Sequence, residues 1–119
     1  MIDISRPDAG FVAVVTIGLS DTGAVDPLLD LLVGEVEEWV RYQPGFISAN
    51  YHVSRDGMTV LNYAQWASED AYKQSFNASP RHGSLRDAIL GIDGVETLQM
   101  IPYALARAVG AAAETPAAT

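Results

Sequence analysis

The chain contains no cysteine among its 119 residues and only two histidines, His52 and His82. Disulfides, thiolate chemistry, iron–sulfur clusters and Cys-ligated zinc are therefore excluded, and a His-rich metal site is not expected. Neither glycine-rich phosphate-binding pattern, GxGxxG or GxxxxGK[ST], occurs. The sequence thus lacks the signatures of most metal and nucleotide cofactors.

Basic residues are also scarce: seven stand against fifteen acidic ones, for a net charge of −8. A protein that binds nucleic acid or an anionic membrane surface needs basic density, so neither partner is expected. No apolar run approaches the ~20 residues that span a bilayer. The first eight residues have neither a basic start nor an apolar stretch. We therefore predict a soluble, cytoplasmic protein.

The length and the hydrophobic content of the chain indicate one folded domain. Hydrophobic residues make up 49% of the chain and charged residues 18%, a composition that excludes disorder for its body. Because a domain has roughly 100–200 residues, the chain has room for one. We predict a domain over residues 1–105 and an alanine-rich C-terminal tail over 106–119 that frays.

The first half of the chain predicts a strand followed by a helix. Residues 10–18 are rich in β-branched side chains and bounded by glycines, as in a buried strand. Asp26 and Pro27 are typical of an N-cap and a first helical position. Apolar residues then recur at helical spacing until Pro44-Gly45, which ends the helix.

The second half predicts a hairpin, two helical stretches and a last strand. Two strand-like runs, 46–54 and 58–66, are joined by Arg55-Asp56-Gly57, and Asp-Gly in such a place is a strong hairpin signal. The second helical stretch begins at Ser79-Pro80, and residues 95–105 form the last strand.

The resulting order is strand, helix, strand, strand, helix, strand. This is the split β-α-β pattern of α+β, ferredoxin-like folds. Helices cover one face of such a sheet, so a ligand or a second subunit must cover the other. A sheet-to-sheet homodimer is the simplest solution, and it leaves a cavity between sheet and helices in each subunit.

Two polar groups lie on a largely apolar strand face. Side chains alternate along 58–66, so Asn62 and Trp66 share one face. A buried amide and a buried indole N–H both need partners. Together they could bind one carbonyl or phenolate oxygen in an aromatic-sized pocket. Alternatively, Asn62 bonds neighbouring backbone and Trp66 belongs to the core or to a dimer interface.

The position of His52 depends on the hairpin register. A two-residue loop pairs Tyr51 with Asn62 and puts His52 on the opposite face. A three-residue loop pairs Asn50 with Asn62 and brings His52 onto the Asn62 face. The residues alone leave both registers open.

Tyr72 and Arg86 are further candidates from helices. Tyr72 could point its hydroxyl into the same cavity, or be a core tyrosine. Arg86 lies at the edge of an apolar helix face, where a half-buried guanidinium could bind an anionic oxygen. Its alternative is a surface pair with Asp87 or Glu69.

Three acidic residues of the first helix, Glu35, Glu37 and Glu38, are interpreted as a solvated helix face. No Ser-His-Asp order, pair of inward carboxylates or HExxH motif appears. Hydrolase chemistry therefore has no candidate residues.

Three segments carry a resemblance to a known family: Pro44-Gly45-Phe46, the block Asn62-Tyr63-Ala64-Gln65-Trp66, and Ala71-Tyr72. With them the chain resembles the antibiotic biosynthesis monooxygenases, small proteins that form dimeric α+β barrels. It is most similar to the anthrone oxygenases of streptomycete aromatic polyketide pathways. The resemblance runs from residue 10 through Leu85-Arg86 and beyond.

The resemblance implies oxidation of an anthrone-type aromatic polyketide to a quinone by a homodimer. Molecular oxygen is the co-substrate, and no flavin, haem or metal takes part, because the substrate itself supplies the electrons. A substrate carbanion passes an electron to oxygen, the radicals combine to a peroxide, and loss of water leaves the quinone carbonyl.

The resemblance also implies roles for the candidates. Asn62 and Trp66 would bind the keto oxygen and stabilise the developing enolate, and Tyr72 would donate a hydrogen bond to the substrate or the peroxide. His52 and Arg86 would be polar residues of the pocket, which favours the register that turns His52 inward.

Two alternative functions remain on this scaffold: an aromatic polyketide cyclase, which consumes no oxygen, and a non-catalytic dimer that binds a polyketide. His52 and Arg86 suit the cyclase equally well, whereas Asn62 with Trp66 favours the oxygenase. Oxygen uptake would separate the oxygenase from both alternatives.

Overall fold

A four-stranded antiparallel sheet carries the helices of this protein. The structure is a computed structural model and describes residues 10–77 and 81–112. The strands lie in the order β2-β3-β1-β4, so the ferredoxin-like α+β prediction is confirmed. In chain order the elements are β1 (Phe11–Leu19), α1 (Val25–Glu38), β2 (Phe46–Val53), β3 (Thr59–Trp66), α2 (Glu69–Asn77), α3 (Arg81–Leu90) and β4 (Val95–Ala104).

The entry into α1 differs from the prediction of an N-cap at Asp26. A 3-10 turn, Thr22–Ala24, leads directly into Val25, and Asp21 caps it by accepting a hydrogen bond from the Gly23 N–H at 2.9 Å. The chain is therefore already helical when it reaches Asp26. The Asp26 carboxylate lies in the first turn instead, where it interacts favourably with the positive end of the helix dipole.

The hairpin between β2 and β3 has a loop of four residues, Arg55–Met58. Ser54 N–H donates to the Thr59 carbonyl at 2.9 Å and closes the loop. Inside it, Gly57 has a φ of +74°, a conformation that glycine adopts without strain. The Asp56 carboxylate accepts hydrogen bonds from the Ser54 hydroxyl and the Met58 N–H, and these bonds lower its pKa.

This loop selects one of the two registers that the sequence left open. An even number of loop residues pairs Tyr51 with Asn62 and His52 with Leu61. Directly paired residues share a face of the sheet. Tyr51 therefore lies on the Asn62 face and His52 on the other, so the inward register favoured for His52 is wrong.

The connection from α1 to β2 depends on Gly45. Its φ is +84°, and a β-carbon at this position would meet the β-carbon of Ala71 on α2. The Gly45 carbonyl also accepts a hydrogen bond from the Ala67 N–H at 2.7 Å. A glycine here thus lets the chain turn and lets α2 approach the sheet closely.

The core has an aliphatic part and an aromatic part. The aliphatic part packs Leu28 and Leu32 of α1 and Ile89 of α3 against Ile17 and Val60 of the sheet. The aromatic part is centred on buried residues at the other end of the sheet, with partly buried rings around them: Phe11, Ala13, Val40, Ala64, Trp66, Trp39, Phe46, Tyr72 and Phe76. Side chains from both parts line the cavity described below.

The opposite face of the sheet carries an apolar patch beside polar side chains such as Gln65 and Gln99. Val14 pairs with Tyr63 on β3 and with Ile101 on β4, so these side chains share that face. Ile101 is 37% exposed and Tyr103 is 51% exposed. We call the surface formed by Val14, Tyr63, Ile101 and Tyr103 the open face.

Beyond β4, residues 105–112 are exposed and have no regular secondary structure. The ends of the predicted domain and tail, residues 1–9 and 113–119, lie outside the described residues, as does the predicted helix start at Ser79-Pro80. No helix in the described part of the chain is long and apolar enough to cross a membrane.

Candidate active site

A cavity of about 180 Å³ lies between the sheet and the helices. All four strands and all three helices, together with Val40 just after α1, contribute to its wall. Most of the lining is apolar, as in pockets that bind small aromatic molecules. The lining residues are Ala13, Val15, Leu32, Glu35, Val36, Val40, Phe46, Ala49, Tyr51, Asn62, Ala64, Trp66, Tyr72, Phe76, Leu85, Arg86, Ile89, Leu98 and Met100.

Trp66 forms the aromatic wall of the cavity. The residue is only 1% exposed, and its ring centroid lies 5.3 Å from that of Phe46, 5.6 Å from Tyr72 and 5.9 Å from Phe76, each in an edge-on arrangement. Three edge contacts fix the orientation of the indole. A flat aromatic ligand would therefore meet a rigid surface here.

Asn62 lies on the same strand face, two residues before Trp66. Its Oδ1 atom is buried and makes no hydrogen bond within the described part of the chain. Leaving such a group unsatisfied costs about 1–3 kcal/mol, so the prediction that Asn62 bonds neighbouring backbone does not account for this atom. Rotation of the amide about its last bond exchanges oxygen and nitrogen, so the side chain can offer a donor or an acceptor to a ligand.

Two tyrosines add phenolic groups to the cavity. Desolvation by burial raises the pKa of Tyr72, and burial raises the pKa of Tyr51 to about 12. Both hydroxyls therefore stay protonated well above neutral pH and can act as hydrogen-bond donors. Tyr51 donates to the Leu32 carbonyl of α1 at 3.3 Å, which ties the sheet to the helix across one end of the cavity.

Tyr51 is a cavity residue that the sequence analysis missed. The signal was available in the even-loop register, which pairs Tyr51 directly with Asn62 and so places both on one face. Once that register is known, a cavity position for Tyr51 follows from the one for Asn62.

His52, in contrast, does not line the cavity. Strand alternation turns it to the face opposite Asn62, and it is exposed. The prediction that His52 is a polar residue of the pocket is therefore wrong, because the four-residue loop fixes the register that turns His52 away from the cavity.

Arg86 lines the cavity and is exposed, so it lies at the cavity mouth. Of the two surface partners considered for it, Glu69 pairs with Lys73 at 3.3 Å instead. A guanidinium at the mouth can bind a polar end of a ligand that projects from the cavity.

Glu35 is the second cavity residue that the sequence analysis missed. The interpretation of a solvated helix face is wrong for this residue, which is half-buried and lines the cavity. Its carboxylate Oε1 accepts a hydrogen bond from the Trp39 indole N–H at 2.8 Å. Its spacing from Leu32 was the available signal, because residues three apart lie on one side of a helix.

The described residues contain no group of three or more His, Asp or Glu side chains that could bind a metal ion. One cavity brings together four of the predicted site residues: Asn62, Trp66, Tyr72 and Arg86. The polar groups in its lining are an amide, an indole, two phenols, a carboxylate and a guanidinium. This set can bind and polarise an oxygen-bearing aromatic molecule.

Comparison with known proteins identifies relatives of this chain. The family model described as antibiotic biosynthesis monooxygenase matches residues 11–87. The tetracenomycin-F1 monooxygenase of Streptomyces glaucescens is 50% identical over 54 residues. Those residues are 45% of this chain and 47% of that protein, so the match spans about half of the relative.

Solved structures show the same architecture. A monooxygenase from the ActVA-Orf6 gene of Streptomyces coelicolor, in complex with nanaomycin D, has a TM-score of 0.85 and 39% identity, and the match covers 93% of this chain and all of that one. SnoaB, a cofactor-independent oxygenase from Streptomyces nogalater, has a TM-score of 0.63 and 17% identity over 85% of this chain and 98% of its own. At that identity the likeness to SnoaB concerns the fold.

Proposed function

This chain belongs to the antibiotic biosynthesis monooxygenase family, and on that premise we propose that it oxidises an anthrone-type aromatic polyketide to a quinone with molecular oxygen and without a cofactor. The observation that carries the proposal is the buried amide oxygen of Asn62, which has no hydrogen-bond partner among the described residues and lies beside Trp66 in an aromatic-walled cavity. The names of the relatives support a polyketide substrate: one acts on tetracenomycin F1 and the other binds nanaomycin D.

In the proposed reaction the methylene of the anthrone loses a proton and becomes a delocalised carbanion, with its charge largely on the keto oxygen. The carbanion transfers one electron to oxygen, and the substrate radical and superoxide combine to a peroxide. The peroxide loses water as the remaining hydrogen leaves the carbon. One oxygen atom stays in the new carbonyl and the other leaves as water, so no external reductant is needed.

The residues of the cavity have roles in this scheme. The Asn62 amide, rotated so that its NH2 group takes the place of the unsatisfied oxygen, and the Trp66 indole N–H donate to the keto oxygen, where negative charge develops, and thereby stabilise the enolate. The protonated Tyr72 hydroxyl donates to the substrate or to the peroxide. Arg86 at the mouth binds the polar end of the polyketide. No dedicated base is assigned, because the two flanking rings already acidify the methylene.

We propose further that the chain works as a homodimer through the open face. That surface is apolar across three strands, and exposed apolar patches of this kind mark interaction sites. A second copy that covers it would leave both cavities on the outer, helix-covered sides of the assembly.

The deciding experiment measures oxygen uptake by the purified protein with dithranol, a simple anthrone, together with the absorbance of the product quinone. We expect uptake well above the spontaneous rate, unchanged by a chelator and without added flavin. Binding of the anthrone with no faster uptake would contradict the oxygenase and favour the cyclase or the non-catalytic binding dimer.

A further inference from the structure

The sheet wall of the cavity contains a line of three alanines that crosses the strands. Ala49 of β2 pairs with Ala64 of β3, which pairs in turn with Ala13 of β1. Directly paired residues share a face of the sheet, and all three alanines line the cavity. We call these residues the alanine row. Because an alanine side chain is a single methyl group, the wall is low along this row.

Larger side chains border the alanine row on both sides. In one direction along the strands, Phe46 is paired with Trp66. In the other direction, Tyr51 is paired with Asn62, and Asn62 with Val15. All five of these residues line the same cavity. The alanine row is therefore the floor of a recess that runs across three strands.

The length of this recess matches a flat system of fused rings. Neighbouring strands lie about 4.8 Å apart, so the methyl groups on the two outer strands of the row are roughly 10 Å apart. Three six-membered rings fused in a line have a long edge of similar length. An angular arrangement of three rings has no straight edge of that length and would meet the larger side chains beside the row.

The recess also passes between the polar groups of the site. Ala64 lies between Asn62 and Trp66 along β3, two residues from each, and all three share one face. The buried Asn62 Oδ1 atom has no hydrogen-bond partner among the described residues, which points to a ligand atom at this place. A ligand oxygen that both the rotated amide and the indole bind would lie over Ala64. Its ring system would then extend toward Ala49 on one side and Ala13 on the other.

We propose that the alanine row determines specificity by seating the long edge of a flat, linearly fused ring system across the strands, with the keto oxygen over Ala64. The inference rests on the proposed function and narrows it to polycyclic ketones whose rings are fused in a line. Dithranol, with three such rings and a central keto group, belongs to this class. A β-branched side chain in the row would fill the recess and exclude the ring above it.

The test compares the Kd of three unsubstituted quinones, measured by quenching of tryptophan fluorescence, since Trp66 lines the cavity. 9,10-Anthraquinone has three rings in a line, 9,10-phenanthrenequinone has the same atoms in an angular arrangement, and 1,4-naphthoquinone has two rings. We expect the unaltered protein to bind anthraquinone about tenfold more tightly than phenanthrenequinone.

Two variants of equal shape, Ala49→Val and Ala49→Thr, fill one end of the recess. Both should weaken anthraquinone binding about tenfold and naphthoquinone binding less than about twofold, because two rings fit over Ala64 and Ala13 alone. Valine and threonine are favoured in strands, and Ala49 is half-buried on the edge strand β2. Both variants should therefore fold, which thermal unfolding checks.

Two further substitutions complete the comparison. Ala64→Val lies under the expected position of the keto oxygen and should weaken both anthraquinone and naphthoquinone about tenfold. Ala104→Val is the matched control on β4, because Ala104 is exposed and does not line the cavity. It should leave every Kd within about twofold of the unaltered value.

Unchanged anthraquinone affinity in both Ala49 variants would overturn the inference, as would an equal loss for anthraquinone and naphthoquinone. Equal affinities of the unaltered protein for the linear and the angular isomer, or no binding of any quinone, would also overturn it. The proposed function stands in these cases if dithranol still causes oxygen uptake. Discrimination between three and two rings at Ala49 without any oxygen uptake would instead refute the proposed function and leave the seating in place.

Discussion

At the scale of single residues, Asn62 is the most informative position. Asparagine is disfavoured in strands and costly to bury without partners, yet this one carries a buried oxygen with no hydrogen bond in the described part of the chain. Such groups are rare in folded proteins and call for an explanation. Binding of a ligand oxygen provides one, because the amide can rotate so that its NH2 group donates to that oxygen.

We expect Asn62→Ala to lower kcat/KM for dithranol at least about tenfold, a loss of about 1.4 kcal/mol in transition-state binding. Trp66→Phe, which keeps an aromatic ring but removes the N–H donor, should cost a similar factor. His52→Ala should change kcat/KM less than about twofold, since His52 faces away from the cavity. Oxygen-uptake kinetics measure all three, and near-native turnover in both site variants would refute the assignment.

Asn62→Ala also separates an effect on activity from an effect on stability. Asn62→Ala removes a buried oxygen that has no hydrogen-bond partner among the described residues. Because the relief of its desolvation offsets the packing that is lost, we expect the free energy of unfolding to change by less than about 1 kcal/mol. Urea denaturation measures this. A much larger destabilisation would mean that the amide has a structural role that its contacts do not reveal.

Tyr51 makes the free energy of unfolding depend on pH in the alkaline range. An unfolded tyrosine ionises near pH 10, whereas burial raises the pKa of Tyr51 to about 12. The stability that the neutral phenol contributes is complete below about pH 10. It is lost between about pH 10 and 12, because over this range the tyrosine ionises in the unfolded chain while the buried Tyr51 phenol is still protonated.

We therefore expect Tyr51→Phe to show a shallower fall in the urea midpoint over that pH range than the unaltered protein. Tyr42→Phe is the matched control: Tyr42 is 73% exposed, and its variant should follow the unaltered curve. Parallel curves for Tyr51→Phe and the unaltered protein would contradict the linkage.

At the scale of elements, the turn at Gly45 lets α2, the helix that carries Tyr72, approach the chain closely at Ala71. A non-glycine residue at positive φ costs about 1–2 kcal/mol, and at this turn its β-carbon would also contact Ala71. The positive φ at Gly45 and the close contact with α2 therefore occur at the same residue.

We expect Gly45→Ala to lower the free energy of unfolding by about 2 kcal/mol or more. Gly34→Ala, inside α1 with no atom within 4 Å of the added β-carbon, should raise it by about 0.5–1 kcal/mol. Urea denaturation of both variants measures the contrast. Similar effects of the two changes would show that neither the backbone conformation nor the Ala71 contact limits the turn.

At the scale of the whole molecule, the proposed homodimer forms through the open face. Light scattering coupled to size exclusion should give twice the chain mass. Tyr103→Glu, which places a charge on the open face, should give the single-chain mass. Val109→Glu is the control, because Val109 is 93% exposed beyond β4, and it should leave the mass unchanged. A single-chain mass for the unaltered protein would exclude the proposed homodimer.

The sequence by itself determined the order of elements and the face that Asn62 and Trp66 share. Both follow from local rules: periodicity separates strands from helices, and strict alternation puts residues four apart in a strand on one side. The NYAQW block and Pro-Gly-Phe also sufficed to indicate the family. These features need no knowledge of distant contacts.

Only the tertiary structure decided where His52, Tyr51 and Glu35 lie. The hairpin register depends on hydrogen bonds around Ser54 and Asp56, and one residue of slippage exchanges the two faces. Glu35 looked solvated because its charge predicts exposure, whereas its actual surroundings depend on how α1 packs over the sheet and on the Trp39 indole. Such contacts join segments that local patterns treat separately, and for that reason local patterns left the positions of these three residues undecided.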